Sequence, residues 1–163
     1  MELRKRLNPI HILMALATVG FVVYLVFGLQ FVDAADYRVD GNLTIPSIDL
    51  KADVVNLNLE DGKLNTPDTI VGSFTNHVNK TLLIGHSTTV FQKLKNINLS
   101  DNVQYNDKEY SVISIELFEK SDINMTRLLA SSDIDTLVLM TCAGELLENG
   151  DATHRLIVTA VRD

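Results

Sequence analysis

The sequence predicts a mainly β domain preceded by one membrane-crossing helix, and three observations carry that prediction. The stretch from Leu7 to Val32 contains no Asp, Glu, Lys or Arg. After it come several short apolar runs, each bounded by turn-forming residues, and at most one or two helical turns are legible between them. Many short strands separated by turns describe a small β-barrel or sandwich better than a strand-helix alternation.

The first segment is long enough to cross a hydrocarbon core of ~30 Å as a helix. Arg4, Lys5 and Arg6 precede it, while Asp33 and Asp36 follow. An excess of Lys and Arg marks the cytoplasmic flank. The expected organisation is therefore a cytoplasmic basic tail (1–6), a transmembrane helix in the lipid bilayer (7–32), a short polar linker (33–42) and an extracytoplasmic domain (43–163). A cleaved signal peptide is the competing reading, since Val32-Asp33-Ala34 offers a small-residue cleavage site. Its apolar core would ordinarily be only ~7–15 residues, which favours a retained anchor.

Within the domain, Leu43 to Leu50 is expected to be extended, with Pro46 suited to an edge strand because proline supplies no ladder donor. Residues 57–80 carry Asp61-Gly62, Thr66-Pro67-Asp68 and Gly72, which read as irregular connection. Thr81-Leu82-Leu83-Ile84 is a buried strand ended by Gly85, with His86 just past it. Val103-Gln104-Tyr105 and Tyr110 to Ile115 flank Asn106-Asp107-Lys108-Glu109 as a β-hairpin. Ser121-Asp122 is expected to cap a short helix through Met125 to Leu129. Leu137 to Met140 is a further buried strand with Cys142 just past its end, and Leu156 to Val161 is the last, with Arg155 at its beginning.

Composition removes several function classes. Net charge is -7, and the basic residues of the domain are scattered singly among acids, so no nucleic-acid partner is expected. One cysteine excludes an internal disulfide and a multi-cysteine zinc site. Asp101, Asp107, Asp133 and Asp135 lack the alternating order of a calcium-binding loop, and no glycine-rich phosphate loop occurs. Neither metal nor cofactor is expected.

Two strands that end in reactive residues and a third that begins with one share a rim if the first two are parallel and the third antiparallel. A thiol at neutral pH needs a neighbour that favours the thiolate, and His86 is the candidate. Arg155 can stabilise the oxyanion formed when a thiolate attacks an amide. His77 lies in a polar stretch, and His154 adjoins Arg155 and so points to the opposite face of a strand, which leaves His86 as the assigned partner.

Leu137-Val138-Leu139-Met140-Thr141-Cys142 resembles the sortase motif Thr-Leu-x-Thr-Cys, with Val138 in place of the first threonine. Ile84-Gly85-His86-Ser87 is similar to the family's catalytic histidine segment, and His154 to Val158 to its catalytic arginine strand. Leu43 to Ile48 is similar to its opening strand, so the likeness runs from about residue 43 to the end. No lid sequence of the pilin-assembling type is seen ahead of it. The resemblance implies a closed eight-stranded barrel with one or two short helices, and catalytic roles for Cys142, His86 and Arg155. It also implies cleavage of a Leu-Pro-x-Thr-Gly-like sorting signal on secreted proteins, with transfer of the acyl group from a Cys142 thioester to an amine on a cell-wall precursor or pilin. Thr141, Ile123 and Met125 are the expected substrate contacts. Two other functions compete: a membrane-tethered binding or assembly module, and an L,D-transpeptidase-like envelope enzyme, whose Ser-x-Gly-Cys signature is missing.

Overall fold

A computed structural model describes residues 38–57, 59–60, 63–64, 66–148 and 151–163. The expected tail 1–6, the transmembrane helix 7–32 and the linker as far as residue 37 lie outside the described residues. Among the described residues no helix is long and apolar enough to cross a membrane.

The strands are β1 (Val39–Ile45), β2 (Leu50–Asn56), β3 (Leu59–Glu60), β4 (Lys63–Leu64), β5 (Val71–His77), β6 (Lys80–Ile84), β7 (Asn102–Tyr105), β8 (Lys108–Glu119), β9 (Thr136–Leu146) and β10 (Ala152–Arg162). β3 and β4 form a small separate hairpin. The other eight close into a barrel in the order β1-β2-β5-β6-β9-β10-β8-β7, with β7 returning to β1. Closure gives each barrel strand a neighbour on both sides, although β7 pairs with β8 only as far as Ser111 and with β1 at two positions. Its pairs are antiparallel except β2 with β5 and β6 with β9. One short helix, α1 (Met125–Leu128), lies between β8 and β9.

Leu43, Ile45, Val54, Val71, Leu83, Leu137, Leu139 and Val158 fill the interior, joined by Phe91, Leu94 and Ile97 from the connection after β6. Strand alternation assigns them: on β9 the odd-numbered Leu137, Leu139 and Thr141 are buried, which turns Val138, Met140 and Cys142 to the outer face.

Several local expectations change. Pro46 starts a 3₁₀ turn (Pro46–Ile48) instead of sitting on an edge strand, and Asp49 closes the turn in the left-handed region at φ 49°. β1 is paired on both sides, by β2 and by β7, and proline's fixed φ suits the first position of such a turn. The stretch 57–80, expected to be irregular, contains β5. Gly72 is there for close approach instead of turning: a Cβ would come within 2.2 Å of the Leu57 side chain. The cap of α1 is Asn124, whose side chain accepts from the Arg127 N–H at 3.1 Å, and not Ser121-Asp122. β9 and β10 are longer than the apolar runs that announced them, so Cys142 lies within β9 and not past its end, and Arg155 lies inside β10, which begins at Ala152.

Candidate active site

Three strands present parallel files of side chains on the outer face. In the β6–β9 ladder Leu82 pairs with Val138 and Ile84 with Met140. In the β9–β10 ladder Val138 pairs with Thr159, Met140 with Ile157, and Cys142 with Arg155. The ladder ends there, and continued one step past β6 the same register would set His86 level with Cys142. That step is held by two bonds: the Gly85 N–H donates to the Met140 carbonyl at 3.3 Å, and the Thr141 hydroxyl donates to the Gly85 carbonyl at 2.7 Å. The paired rows are thus Leu82-Val138-Thr159 and Ile84-Met140-Ile157, both lined largely by apolar groups, with the reactive pair Cys142-Arg155 next along β9 and His86 two residues past Ile84.

Cys142 is a partly exposed free thiol. Opposite it, Arg155 is held along its own strand: Nη1 donates to the carbonyls of Ala152 (3.0 Å) and His154 (2.9 Å), and Nη2 donates to Asp151 Oδ1 at 2.7 Å. Only 14% of the Arg155 side chain is exposed. A guanidinium carries five N–H donors, so among the described bonds Nε–H and the second Nη2–H are the ones not taken. The carboxyl of Asp151 lies well below the usual carboxylate range, held there by hydrogen bonds from Lys120, Arg155 and the Ala152 N–H.

His86 is less enclosed, with 43% of its side chain exposed. Its Nε2 lies 3.2 Å from the Thr66 carbonyl, and because a carbonyl only accepts, Nε2 carries the proton. Asp68 Oδ1 stands 3.7 Å from the same nitrogen. The segment before β5 therefore engages the ring through Nε2. His154 Nδ1 is hydrogen-bonded to the Thr153 hydroxyl at 2.8 Å, and its ladder partner is Ala143, not Cys142. His77 is the last residue of β5.

Thr141, expected against substrate, is 4% exposed and spends its hydroxyl on Gly85. Its alternation puts it on the barrel side of β9, opposite to Cys142. Thr141→Val is expected to destabilise the protein by about 1–3 kcal/mol, because the Gly85 carbonyl loses its partner in a buried setting. Thermal unfolding measures this. A raised KM with unchanged stability would instead mark Thr141 as a substrate contact.

The outer-face residues Leu82, Val138 and Ile157 are buried in an apolar cluster separate from the interior, covered by Phe118, Ile123, Leu128 and Leu129. The segment from Lys120 to Leu129 thereby forms one wall of a trough. At the end away from Cys142 it opens into a cavity of about 320 Å³ lined by Val138, Ile157, Phe118, Ile123 and Leu128, with Lys80, Glu116 and Arg127 among its polar lining. Ile123 faces this cavity, whereas Met125 opens α1 and is exposed. Local sequence does not single out the floor residues or Asp151. One signal for the floor is present: a barrel strand with water outside alternates, and the runs Leu82 to Ile84, Leu137 to Met140 and Leu156 to Val158 do not, which means that both faces are covered.

The family model described as sortase domain matches residues 43–163. The fold is similar to sortase A from Corynebacterium diphtheriae in a lid-mutant form, with TM-score 0.58 and 23% identity over 80% of this chain and 73% of that one. It is also similar to Listeria monocytogenes sortase A, with TM-score 0.60 and 16% identity over 77% and 87%. Sortase C-1 from Actinomyces oris matches with TM-score 0.60 and 22% identity over 84% and 78%. No curated protein sequence matches the chain.

Proposed function

The chain belongs to the sortase family of cysteine transpeptidases, and from that premise we propose that it cleaves a Leu-Pro-x-Thr-Gly-like sorting signal and passes the acyl group to a cell-envelope amine. The Cys142–Arg155 pair on the outer face beside an apolar cluster, with His86 following the strand that pairs with β9, is the observation that supports this reading.

Cys142 acts as thiolate and forms a C–S bond to the scissile carbonyl, whose π electrons move onto oxygen. The remaining Arg155 donors stabilise that oxyanion. When it collapses, the C–N bond breaks, and His86, oriented by Thr66, protonates the departing amine from Nδ1. The acceptor amine then attacks the thioester, gives a proton back to His86, and releases the Cys142 thiolate. No oxidant, metal or cofactor enters the balance.

Spacing supports the recognition step. Val138, on the cavity floor, lies four residues before Cys142 on β9, or ~13 Å at a strand rise of ~3.3 Å. In a Leu-Pro-x-Thr-Gly-like signal the leucine stands three residues before the threonine whose carbonyl is attacked, ~10 Å in an extended peptide, which carries its side chain from Cys142 to the near side of that cavity. An apolar side chain such as leucine suits the lining. The charge pattern around residues 7–32 supports an extracytoplasmic domain tethered to the membrane, where such signals and acceptors occur.

Intact-mass analysis with a library of Leu-Pro-x-Thr-Gly-like peptides tests this. The expected result is an adduct on Cys142 that an added amine discharges. Replacing the upstream leucine by alanine is expected to lower kcat/KM by ~10- to 100-fold, the equivalent of burying a leucine side chain. Folded protein that forms no adduct with any peptide would move the assignment to a binding module.

A further inference from the structure

Asp151 is used twice over. Its Oδ1 accepts from Arg155 Nη2 at 2.7 Å and from the Ala152 N–H at 2.8 Å, while Oδ2 takes the ammonium of Lys120. Lys120 is the first residue of the 3₁₀ turn that begins the trough wall. A single carboxylate therefore joins the guanidinium opposite the thiol to the segment that covers the substrate's path. The arrangement is well shielded, with 25% of the Asp151 side chain and 14% of Arg155 exposed. The depressed carboxyl keeps it charged through the mildly acidic range.

Arginine is long, and a free guanidinium samples many rotamers. An oxyanion donor is effective when it is fixed before the charge appears. Two carbonyls of β10 constrain Nη1, but among the described residues only Asp151 constrains Nη2, the nitrogen with a donor to spare. The strand pairing reinforces the link, since at the end of β8, just before the wall, Phe118 is the partner of Arg155 and Glu119 that of His154.

We propose that Asp151 is a positioning residue: it fixes the Arg155 guanidinium opposite Cys142 and, through Lys120, locks the start of the trough wall to the same point, so that peptide seating and oxyanion stabilisation are set together. This rests on the transpeptidase reading for its kinetic consequence, but not for its geometric one.

The test uses the full chain, kept in detergent, with two readouts. In single-turnover acylation, Asp151→Asn is expected to slow the chemical step ~10-fold, with Asp151→Glu recovering part of the loss. In an Arg155→Ala background Asp151→Asn is expected to change the rate less than ~2-fold, because its effect runs through Arg155. Lys120→Met is expected to raise KM several-fold, about the weight of a modest partly buried contact, with a smaller change in kcat. Full multiplication of the Asp151 and Arg155 effects would overturn the proposal. The second readout is ¹⁵N NMR of the Arg155 side chain, where hindered guanidinium rotation in the parent is expected to become fast in Asp151→Asn and stay slow in Asp151→Glu. Equally fast rotation in the parent overturns the proposal whether or not any peptide reacts. An inert parent with hindered Arg155 rotation that Asp151→Asn releases would sink the transpeptidase reading and leave the positioning role standing.

Discussion

A Cys142→Ala chain is expected to form no acyl adduct with any sorting-type peptide and to transfer nothing to an amine, while binding the peptide within about 2-fold of the parent. The reason lies in how the work is divided along the trough. On the proposed reading, affinity is expected from the cavity lined by Val138, Ile157, Phe118, Ile123 and Leu128, which the substitution does not touch. Bond formation depends on one sulfur, which no other cysteine can replace. Loss of the nucleophile from a set that acts as a unit commonly lowers turnover on the order of 10⁶-fold, to background. Peptide binding followed by fluorescence anisotropy and acylation followed by intact mass separate the two functions. Turnover retained in the variant would exclude the thioester route, and loss of binding together with turnover would mean that Cys142 supports the trough itself.

Arg155→Ala is expected to lower kcat/KM by ~10²- to 10³-fold, mainly through kcat, as when one oxyanion donor is removed elsewhere. Peptide affinity should change little, because the trough floor seats the substrate and the guanidinium acts on charge that develops later. Arg155→Lys should not restore the rate. An ammonium cannot donate at once to the Ala152 and His154 carbonyls and to Asp151 while keeping a donor for the substrate, which the planar fork does. Presteady-state acylation of the parent and both variants measures this. A raised KM with kcat intact would make Arg155 a ground-state contact, and a normal rate would remove it from the site.

The order of apolar runs and turn residues by itself determines a mainly β domain, and the run Leu7 to Val32 sets the expectation of an anchor. The residues at the ends of those runs, His86, Cys142 and Arg155, can be singled out because their chemistry is rare and local in the sequence. Antiparallel pairing of β9 with β10 then sets Cys142 opposite Arg155, and the parallel pairing of β6 with β9 ends two residues before His86 and Cys142. Local reading fails where a residue's conformation depends on a distant neighbour. Gly72 reads as a turn until Leu57 is seen packed over it, and Pro46 reads as an edge until the barrel closes.

The remaining decisions belong to tertiary structure alone. Thr141 stands next to Cys142 in the chain yet faces the other way, because alternation is read only once the strand is known to continue through both. The outer-face cluster needs the segment after β8 to fold over β6, β9 and β10. Asp151 and Lys120 are ordinary surface charges in sequence, and they meet at Arg155 only because β8 and β10 are neighbours in the barrel. A linear chain records which side chains are apolar, reactive or turn-forming; which of them share a face is a property of register, and register is set by the closure of the whole sheet.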